Sequence, residues 1–195
     1  MEEQKNTEEA EELSPAEKSL RSVFEWTETV VMAIVLVAVF FTFVVRVITV
    51  DGGSMQPTYY DGDRVLVSAL GKPAEQGDVV IVVNALDDPI IKRVIATEGQ
   101  TVDFDPAQQE VVVDGNTVPG ARFGIENGIT GVQDMPGRFL EFPQTVPDGC
   151  VFVLGDNRQN STDSRFTEVG MIDRRNILGK VVFNLYPFSK LGSAK

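Results

Sequence analysis

The chain has 195 residues, of which 43% are hydrophobic, and it contains no histidine, a single cysteine and a formal net charge of −12. Without histidine, a Ser-His-Asp triad, a Cys-His pair and a histidine-ligated metal site are excluded, and one cysteine allows neither an internal disulfide nor a cysteine-based zinc site. The excess of negative charge argues against nucleic-acid binding, which needs a basic surface.

The chain begins with an acidic segment. Half of the net charge lies in the first 28 residues, which hold nine glutamates against Lys5, Lys18 and Arg21. From Met1 to about Ser14 the sequence has neither hydrophobic periodicity nor an aromatic residue, so we predict a solvated, disordered segment. The predicted tail covers residues 1–22.

An apolar run follows the tail. Between residues 30 and 45 only Thr42 is polar, and about 20 apolar residues are enough to span a bilayer as a helix. Trp26 lies just before the run, where interfacial aromatic residues are common, and Arg46 lies near its end, where a long side chain can reach the interface. We therefore predict a transmembrane anchor over residues 23–50, with the lipid bilayer as a partner.

A cleaved signal peptide and a buried core helix are the alternatives for the apolar run, and both are less favourable. A cleaved signal peptide would have a short basic start and an A-x-A cleavage site, and this sequence has neither. A core helix this apolar would need protein on every side, which a chain this short can hardly supply. The orientation in the membrane stays open, because Lys18 and Arg21 flank one end of the run while Arg46 and Arg64 lie at or beyond the other.

From Asp51 onward the pattern changes to short β-branched runs separated by Gly, Pro and Asp, which predicts strands. These runs are Arg64–Val67, Asp78–Val83, Ile90–Ile95, Val151–Leu154 and Lys180–Leu185. The dipeptide Asp114-Gly115 predicts a hairpin over residues 110–118. No long amphipathic helix follows the anchor, so residues 51–195 are predicted to form an all-β domain of short antiparallel strands.

One stretch of this domain differs in composition from the rest. Residues 104–148 are richer in glycine and polar residues and contain Pro106, Pro119, Pro136, Pro143 and Pro147. We predict an insertion or small cap outside the main sheet. Cys150 follows this stretch among apolar neighbours, which predicts a small buried side chain rather than a nucleophile.

Without histidine, a nucleophilic serine needs another base, and a lysine is the candidate. Ser54 follows two glycines in a constrained turn, and Lys92 lies between apolar residues of a predicted strand. A lysine is a base only when neutral, so its pKa must fall from about 10.4 to near 7, which burial can bring about. Neutral Lys92 would accept the proton of Ser54 as the hydroxyl attacks a peptide carbonyl. Taken alone this pairing is weak, because a lysine in a strand usually faces solvent.

A polar cluster at residues 155–165 strengthens the pairing. It follows an apolar strand and contains two acids and two arginines whose pairing could hold a loop rigid, although a solvated turn would have the same composition. Other protease signatures are absent: Ser54 is not in a G-x-S-x-G motif, no serine has a lysine three residues later, and there is no Asp-Thr-Gly or Asp-Ser-Gly.

Five motifs in order resemble those of type I signal peptidase. They are Ser54-Met55-Gln56-Pro57-Thr58, Gly62-Asp63-Arg64-Val65, Gly77-Asp78-Val79-Val80, Ile91-Lys92-Arg93-Val94 and the series Gly155-Asp156-Asn157-Arg158, Ser161 and Asp163-Ser164-Arg165. The ending from Gly179 to Phe188 is similar as well. With the apolar run, the resemblance covers nearly the whole chain apart from the tail and the insertion.

The resemblance implies a membrane-bound serine endopeptidase that removes N-terminal signal peptides from secreted preproteins. It implies an all-β catalytic domain on the outer side of the cytoplasmic (plasma) membrane of a bacterium, with the tail inside. Ser54 matches the nucleophile of the family and Lys92 its general base, while Ser161 matches the hydroxyl that hydrogen-bonds to this lysine and orients it. No metal or organic cofactor is implied.

Supporting residues are also implied by the resemblance. Ion pairs beside the site would join Asp163 to Arg165 and Asp156 to Arg93. The preprotein would bind as an added extended strand. Small pockets for its −1 and −3 side chains would be lined by Val50, Met55, Tyr59, Ile90 and Ile91.

Gly52 departs from part of the family, in which a serine at this position helps to form the oxyanion hole. Glycine offers no side-chain donor, so the backbone N–H of Ser54 would be the main one. Losing one such donor commonly costs about 3 kcal/mol in other serine proteases, and we therefore expect compensation from elsewhere. Glycine here, the single span and the short insertion resemble the Gram-positive branch.

Two other functions are compatible with parts of the sequence. A self-cleaving regulator with the same β-fold would normally carry a DNA-binding domain and no membrane span, and the apolar run argues against it. A catalytically silent, membrane-anchored binding module would not need Ser54, Lys92 and Ser161, so their presence argues against that function.

Overall fold

The computed structural model describes residues 15–118, 120–126, 130 and 138–193. The chain divides into two compact units, residues 1–42 and 43–195. The predicted disordered segment up to Ser14 lies outside the described residues. So do parts of the predicted insertion, namely residues 119, 127–129 and 131–137.

The first unit consists mainly of one helix, α1, from Pro15 to Phe43. Proline is favoured at the first position of a helix because its missing N–H has no partner there. The segment Ser19–Phe41 is long and apolar enough to cross a membrane, and its apolar side chains are exposed, which fits a transmembrane anchor. The helix starts and ends several residues before the predicted anchor (23–50) does, and the predicted bounds of the tail (1–22) and of the anchor stay predictions.

A strand occupies the end of the predicted anchor. This strand, β1 (Val45–Thr49), pairs antiparallel with β2 (Arg64–Ser68) in the second unit. Its sequence is mostly β-branched, which favours a strand over a helix. Because Val45, Val47 and Ile48 extend the apolar pattern on both sides of Arg46, hydropathy alone does not separate the two elements.

An antiparallel sheet of eight described strands forms the framework of the second unit. Beyond β1 and β2, the strands of this unit are β3 (Val79–Val82), β4 (Ile90–Thr97), β5 (Thr101–Asp105), β6 (Glu110–Val113), β7 (Asn116–Val118), β8 (Gln144–Thr145), β9 (Cys150–Leu154), β10 (Ile172–Asp173), β11 (Ile177–Tyr186) and β12 (Gly192–Ser193). The strand order in the main sheet is β1-β2-β11-β3-β4-β9-β10, with β12 paired to β11. The predicted all-β class is confirmed, and every predicted run overlaps a strand.

A second sheet, in the order β7-β6-β5-β8, is formed largely by the predicted insertion. It begins at Thr101 and includes the predicted hairpin, in which β6 pairs with β7. Asp114 and Gly115 have φ angles of 51° and 75°, as a two-residue hairpin turn with left-handed residues requires. Short 3-10 helices in the described part of the chain are Gly120–Phe123, Arg174–Asn176 and Phe188–Lys190.

Two of the buried clusters determine where the site lies. Ile95 of β4 and Phe152 of β9 pack against Val111 of the second sheet, which fixes β4 and β9 in the centre of the unit. A separate buried cluster contains Met55, from the loop after β1, together with Ile91 of β4. The loop after β1 is thus held against β4.

Candidate active site

Ser54 and Lys92 lie next to each other in the structure. Ser54 is in the turn after β1, and Lys92 is in β4, opposite Val80 of β3. Lys92 Nζ is 2.9 Å from Ser54 Oγ and 2.9 Å from the carbonyl oxygen of Ile91. Only 3% of Lys92 is exposed. The two groups are within the distance that proton transfer requires, in a place that water scarcely reaches.

Burial lowers the pKa of Lys92 from 10.5 to about 8. Desolvation is the largest cause because it penalises the charged ammonium, while the negative charges of Asp163 and Asp156 act in the opposite direction. Both carboxylates are engaged by arginines, so neither is a direct ion-pair partner of Lys92. At pH 7 about a tenth of the molecules would hold a neutral Lys92.

The turn that carries Ser54 is fixed on both sides. Met55 is fully buried, and its carbonyl accepts a hydrogen bond of 2.9 Å from the amide of Tyr59. Gly52 has a φ of 81°, a conformation that glycine adopts without strain, and its amide donates to Asp61 Oδ1 at 3.0 Å. The Ser54 side chain therefore extends from a backbone with little freedom.

Arg93 and Asp156 form the first of the two implied ion pairs. Arg93 Nε and Nη2 donate to the two carboxylate oxygens of Asp156 at 2.9 and 2.7 Å, and both side chains are fully buried. The hydroxyl of Thr58 also donates to Asp156. Because Arg93 follows Lys92 in β4 and Thr58 belongs to the turn of Ser54, this carboxylate connects the two halves of the site.

Asp163 and Arg165 form the second implied ion pair. Arg165 Nε donates to Asp163 Oδ1 at 2.8 Å, and the other oxygen of Asp163 accepts from the amide of Gly155 at 3.0 Å. Arg165 Nη2 also donates to the carbonyl of Arg158 at 2.7 Å. The loop 155–165 is therefore closed on itself by buried charged groups, rather than being a solvated turn.

Ser161 differs from the expectation. Its hydroxyl is buried next to the Cα atom of Gly155, yet it has no hydrogen-bond partner among the described residues. The implied hydrogen bond to Lys92 is thus not formed, because Lys92 Nζ is directed to Ser54 Oγ and to the Ile91 carbonyl.

The sequence profile described as signal peptidase, peptidase S26, matches residues 23–186. The chain belongs to this family. Signal peptidase IB of Staphylococcus aureus (strain COL) is 33% identical to it over 180 residues, which cover 87% of this chain and 93% of that protein. Signal peptidase I S of Bacillus subtilis (strain 168) is 32% identical over 180 residues, with coverages of 88% and 93%.

These relatives confirm the resemblance to type I signal peptidase and to its Gram-positive-like branch. The family also assigns the chain to the serine peptidases, a class of hydrolases. A crystal structure of a signal peptidase I from Enterococcus faecalis V583 matches more weakly, with 24% identity and a TM-score of 0.43, covering 58% of this chain and 100% of that one.

Four of the five implied pocket residues of this signal peptidase lie in one buried cluster, namely Val50, Met55, Tyr59 and Ile91. Ile90 packs against a different cluster, together with Val80 and Val82, because neighbouring residues of a strand point to opposite faces of the sheet. The structure therefore does not bring Ile90 together with the other four, and its place in the pocket stays a prediction.

Three residues of the signal peptidase site were not assigned a role from the sequence. Asn157 donates two hydrogen bonds to the turn after β1. Arg158 is buried and donates to the carbonyl of Gly155 at 3.0 Å. Lys190, near the end of the chain, donates to the carbonyl of Thr58 at 3.1 Å. Asn157 and Arg158 belong to the polar cluster that marked the site, whereas Lys190 has no signal in the sequence.

Proposed function

We propose that this signal peptidase cleaves the signal peptides of secreted preproteins as a membrane-bound serine endopeptidase, with Ser54 as nucleophile and neutral Lys92 as general base. The observation that carries the proposal is the distance of 2.9 Å between Lys92 Nζ and Ser54 Oγ, at a lysine that is 3% exposed. Burial favours the neutral amine, and the neutral amine is the form that can accept a proton.

The reaction would proceed in two halves. Lys92 accepts the hydroxyl proton of Ser54 while Oγ attacks the carbonyl carbon of the scissile peptide bond, giving a tetrahedral oxyanion. Lys92 then gives that proton to the leaving amine, the C–N bond breaks, and an ester joins the signal peptide to Ser54. Water attacks the ester with Lys92 again as base, which releases the signal peptide and restores the hydroxyl.

An open edge of β4 offers a place for the preprotein. β9 pairs with β4 only from Arg93 onward, where Arg93 faces Leu154. Among the described strands, residues 90–92 therefore have a neighbour only on the β3 side. An extended peptide could add to this edge by main-chain hydrogen bonds, with the −1 and −3 side chains over the cluster that contains Met55 and Ile91.

The oxyanion would be held by the amide of Ser54. This N–H has no hydrogen-bond partner in the described part of the chain, so it is available to a substrate oxygen. Gly52 supplies no side-chain donor, and a Cβ atom at that position would meet open space. The stabilisation of the transition state would therefore depend strongly on one backbone donor.

Trapping of the acyl-enzyme tests the proposed chemistry. The purified full chain in detergent should cleave a labelled preprotein once, at the end of its signal peptide. Acid quenching of a reaction with a peptide ester should leave an adduct on Ser54, because an ester is stable in acid. Intact mass and peptide mapping would show it. Cleavage with no adduct, or an adduct on another residue, would contradict the assignment of the nucleophile.

For the location, the proposal is that α1 crosses the cytoplasmic membrane of a bacterium once, with the β domain outside, where signal peptides of exported preproteins emerge. The single native cysteine allows a direct test. In a Cys150→Ala background, Asp148→Cys should react with a membrane-impermeant maleimide on intact protoplasts, whereas Glu8→Cys should react only after lysis. The reverse pattern would place the β domain in the cytoplasm and contradict the proposal.

A further inference from the structure

Asn157 contacts the peptide groups on both sides of the nucleophile. Its side-chain Nδ2 donates to the carbonyl of Gly53 at 3.0 Å, and its backbone N–H donates to the carbonyl of Ser54 at 3.0 Å. These partners are about a hundred residues away in sequence. No other residue in the described part of the chain hydrogen-bonds to both carbonyls.

The direction of the Ser54 amide follows from the first of these bonds. The peptide bond between Gly53 and Ser54 is trans, and in a trans peptide the C=O and the N–H point in opposite directions. When the side chain of Asn157 fixes the Gly53 carbonyl, it also fixes the direction of the Ser54 N–H. Among the described residues, the only other donor to that carbonyl is the amide of Gln56, at a longer distance of 3.3 Å.

Gly53 has no side chain to restrict its rotation, and it follows another glycine. A peptide group between such a residue and Ser54 can rotate easily unless hydrogen bonds hold it. Oxyanion stabilisation is effective only when the donor is already aimed at the developing charge. Here a single backbone donor serves the proposed oxyanion, so its alignment has an unusually large effect.

We propose that Asn157 is a positioning residue for the oxyanion hole, which acts by orienting the Gly53–Ser54 peptide group. The inference rests on the proposed function, since it assumes that the Ser54 amide receives the oxyanion. Asn157 also follows Asp156, whose ion pair with Arg93 connects it to the strand of Lys92. The two consecutive residues Asp156 and Asn157 thus hold the strand of the proposed base and the oxyanion donor, respectively.

Asn157→Ala and Asn157→Asp test the inference. Alanine removes the side-chain donor and keeps the backbone bond to Ser54, while aspartate keeps the shape but presents an acceptor to the Gly53 carbonyl. We expect kcat for preprotein cleavage to fall about 10- to 100-fold in Asn157→Ala, and further in Asn157→Asp, with KM changed less than about twofold. The acidic limb of the pH profile should not move, because Lys92 is untouched. Gln159→Ala, an exposed change in the same loop, is the matched control.

A peptide boronate and the released signal peptide separate positioning from loss of structure. The boronate forms a tetrahedral anionic adduct with Ser54, whereas the product peptide needs no oxyanion donor. In Asn157→Ala the boronate should bind weaker by the same factor as the loss in kcat, with unchanged product affinity. This ratio of dissociation constants does not depend on the folded fraction of the sample. If the wild type cleaves preprotein and this ratio is the same in Asn157→Ala as in the wild type, the role of Asn157 is overturned and the proposed function is not. If the wild type does not cleave preprotein, the proposed function itself is overturned.

Discussion

Lys92→Arg should lower kcat/KM for preprotein cleavage by about 10²–10⁴-fold, the usual contribution of a general base. Arginine keeps its proton at every pH at which the protein is folded, so it cannot accept one from Ser54. Its guanidinium would also have to enter the position of an amine that is 3% exposed. Initial rates with a labelled preprotein, for wild type and variant in the same detergent, measure the effect.

The pH profile of the wild type supplies the second part of this prediction. Activity requires the neutral amine, so kcat/KM should rise with pH and level off above the pKa of Lys92 in the enzyme without substrate, which is about 8. The profile of kcat reports the enzyme–substrate complex instead. A bound preprotein removes further water from Lys92 and so lowers its pKa further. The acidic limb of the kcat profile should therefore lie at lower pH than that of the kcat/KM profile. An acidic limb near the ordinary lysine pKa in both profiles would contradict a desolvated base.

Lys92→Met separates catalysis from stability. Folded Lys92 loses its proton above about pH 8, while the unfolded chain keeps it to about 10.5. Between these two pH values the unfolded state thus binds more protons than the folded state, so the stability of the wild type should rise with pH in that range. Below that range the folded protein buries a charged Lys92, which lowers its stability by an amount that no longer changes with pH. Methionine has no charge to bury. The variant should be inactive yet melt higher at pH 7, and robust activity in either Lys92 variant would exclude the lysine as base.

Local signals in the sequence were sufficient to predict much of the fold. The Asp114-Gly115 dipeptide identified its hairpin because both residues accept the left-handed conformation that the turn needs. The β-branched runs identified β2, β3, β4, β9 and β11. Hydropathy did not locate the end of α1, because Val45, Val47 and Ile48 extend the apolar pattern past Arg46. What makes these residues a strand is their pairing with β2, a contact that no local pattern contains.

The same distinction applies to the site. The ordered motif series, through its resemblance to type I signal peptidase, indicated Ser54, Lys92 and the two ion pairs, whereas Ser54 and Lys92 taken alone gave only a weak signal. The implied bond from Ser161 to Lys92 was not found, since the orientation of a hydroxyl depends on packing around Gly155. Asn157 was not assigned a role because its contacts run to backbone carbonyls, which carry no side-chain signature.

Gly155→Ala should reduce cleavage about 100-fold or more while leaving the protein folded. A Cβ atom there would overlap with Ser161 Oγ and lie 2.6 Å from the carbonyl oxygen of Ser54, and contacts under 3.0 Å essentially never occur. The clash involves backbone, so the turn of Ser54 must move by a large part of an ångström. A displacement of about 1 Å at a reacting group can cost about 100-fold in rate. The measurement is kcat/KM for the labelled preprotein, together with the thermal midpoint.

Gly179→Ala is the matched control because it introduces similar strain away from the site. Its Cβ atom would lie 2.5 Å from the carbonyl oxygen of Ser68, between β11 and β2. We expect Gly179→Ala to lower the thermal midpoint with nearly wild-type kcat per folded molecule, and Gly155→Ala to lose kcat at a similar midpoint. If both variants lose activity only in proportion to their folded fraction, the close approach of Gly155 to Ser54 has no catalytic consequence. A loss of kcat per folded molecule in Gly155→Ala alone would show that close packing of the loop 155–165 against the turn of Ser54 is needed for catalysis.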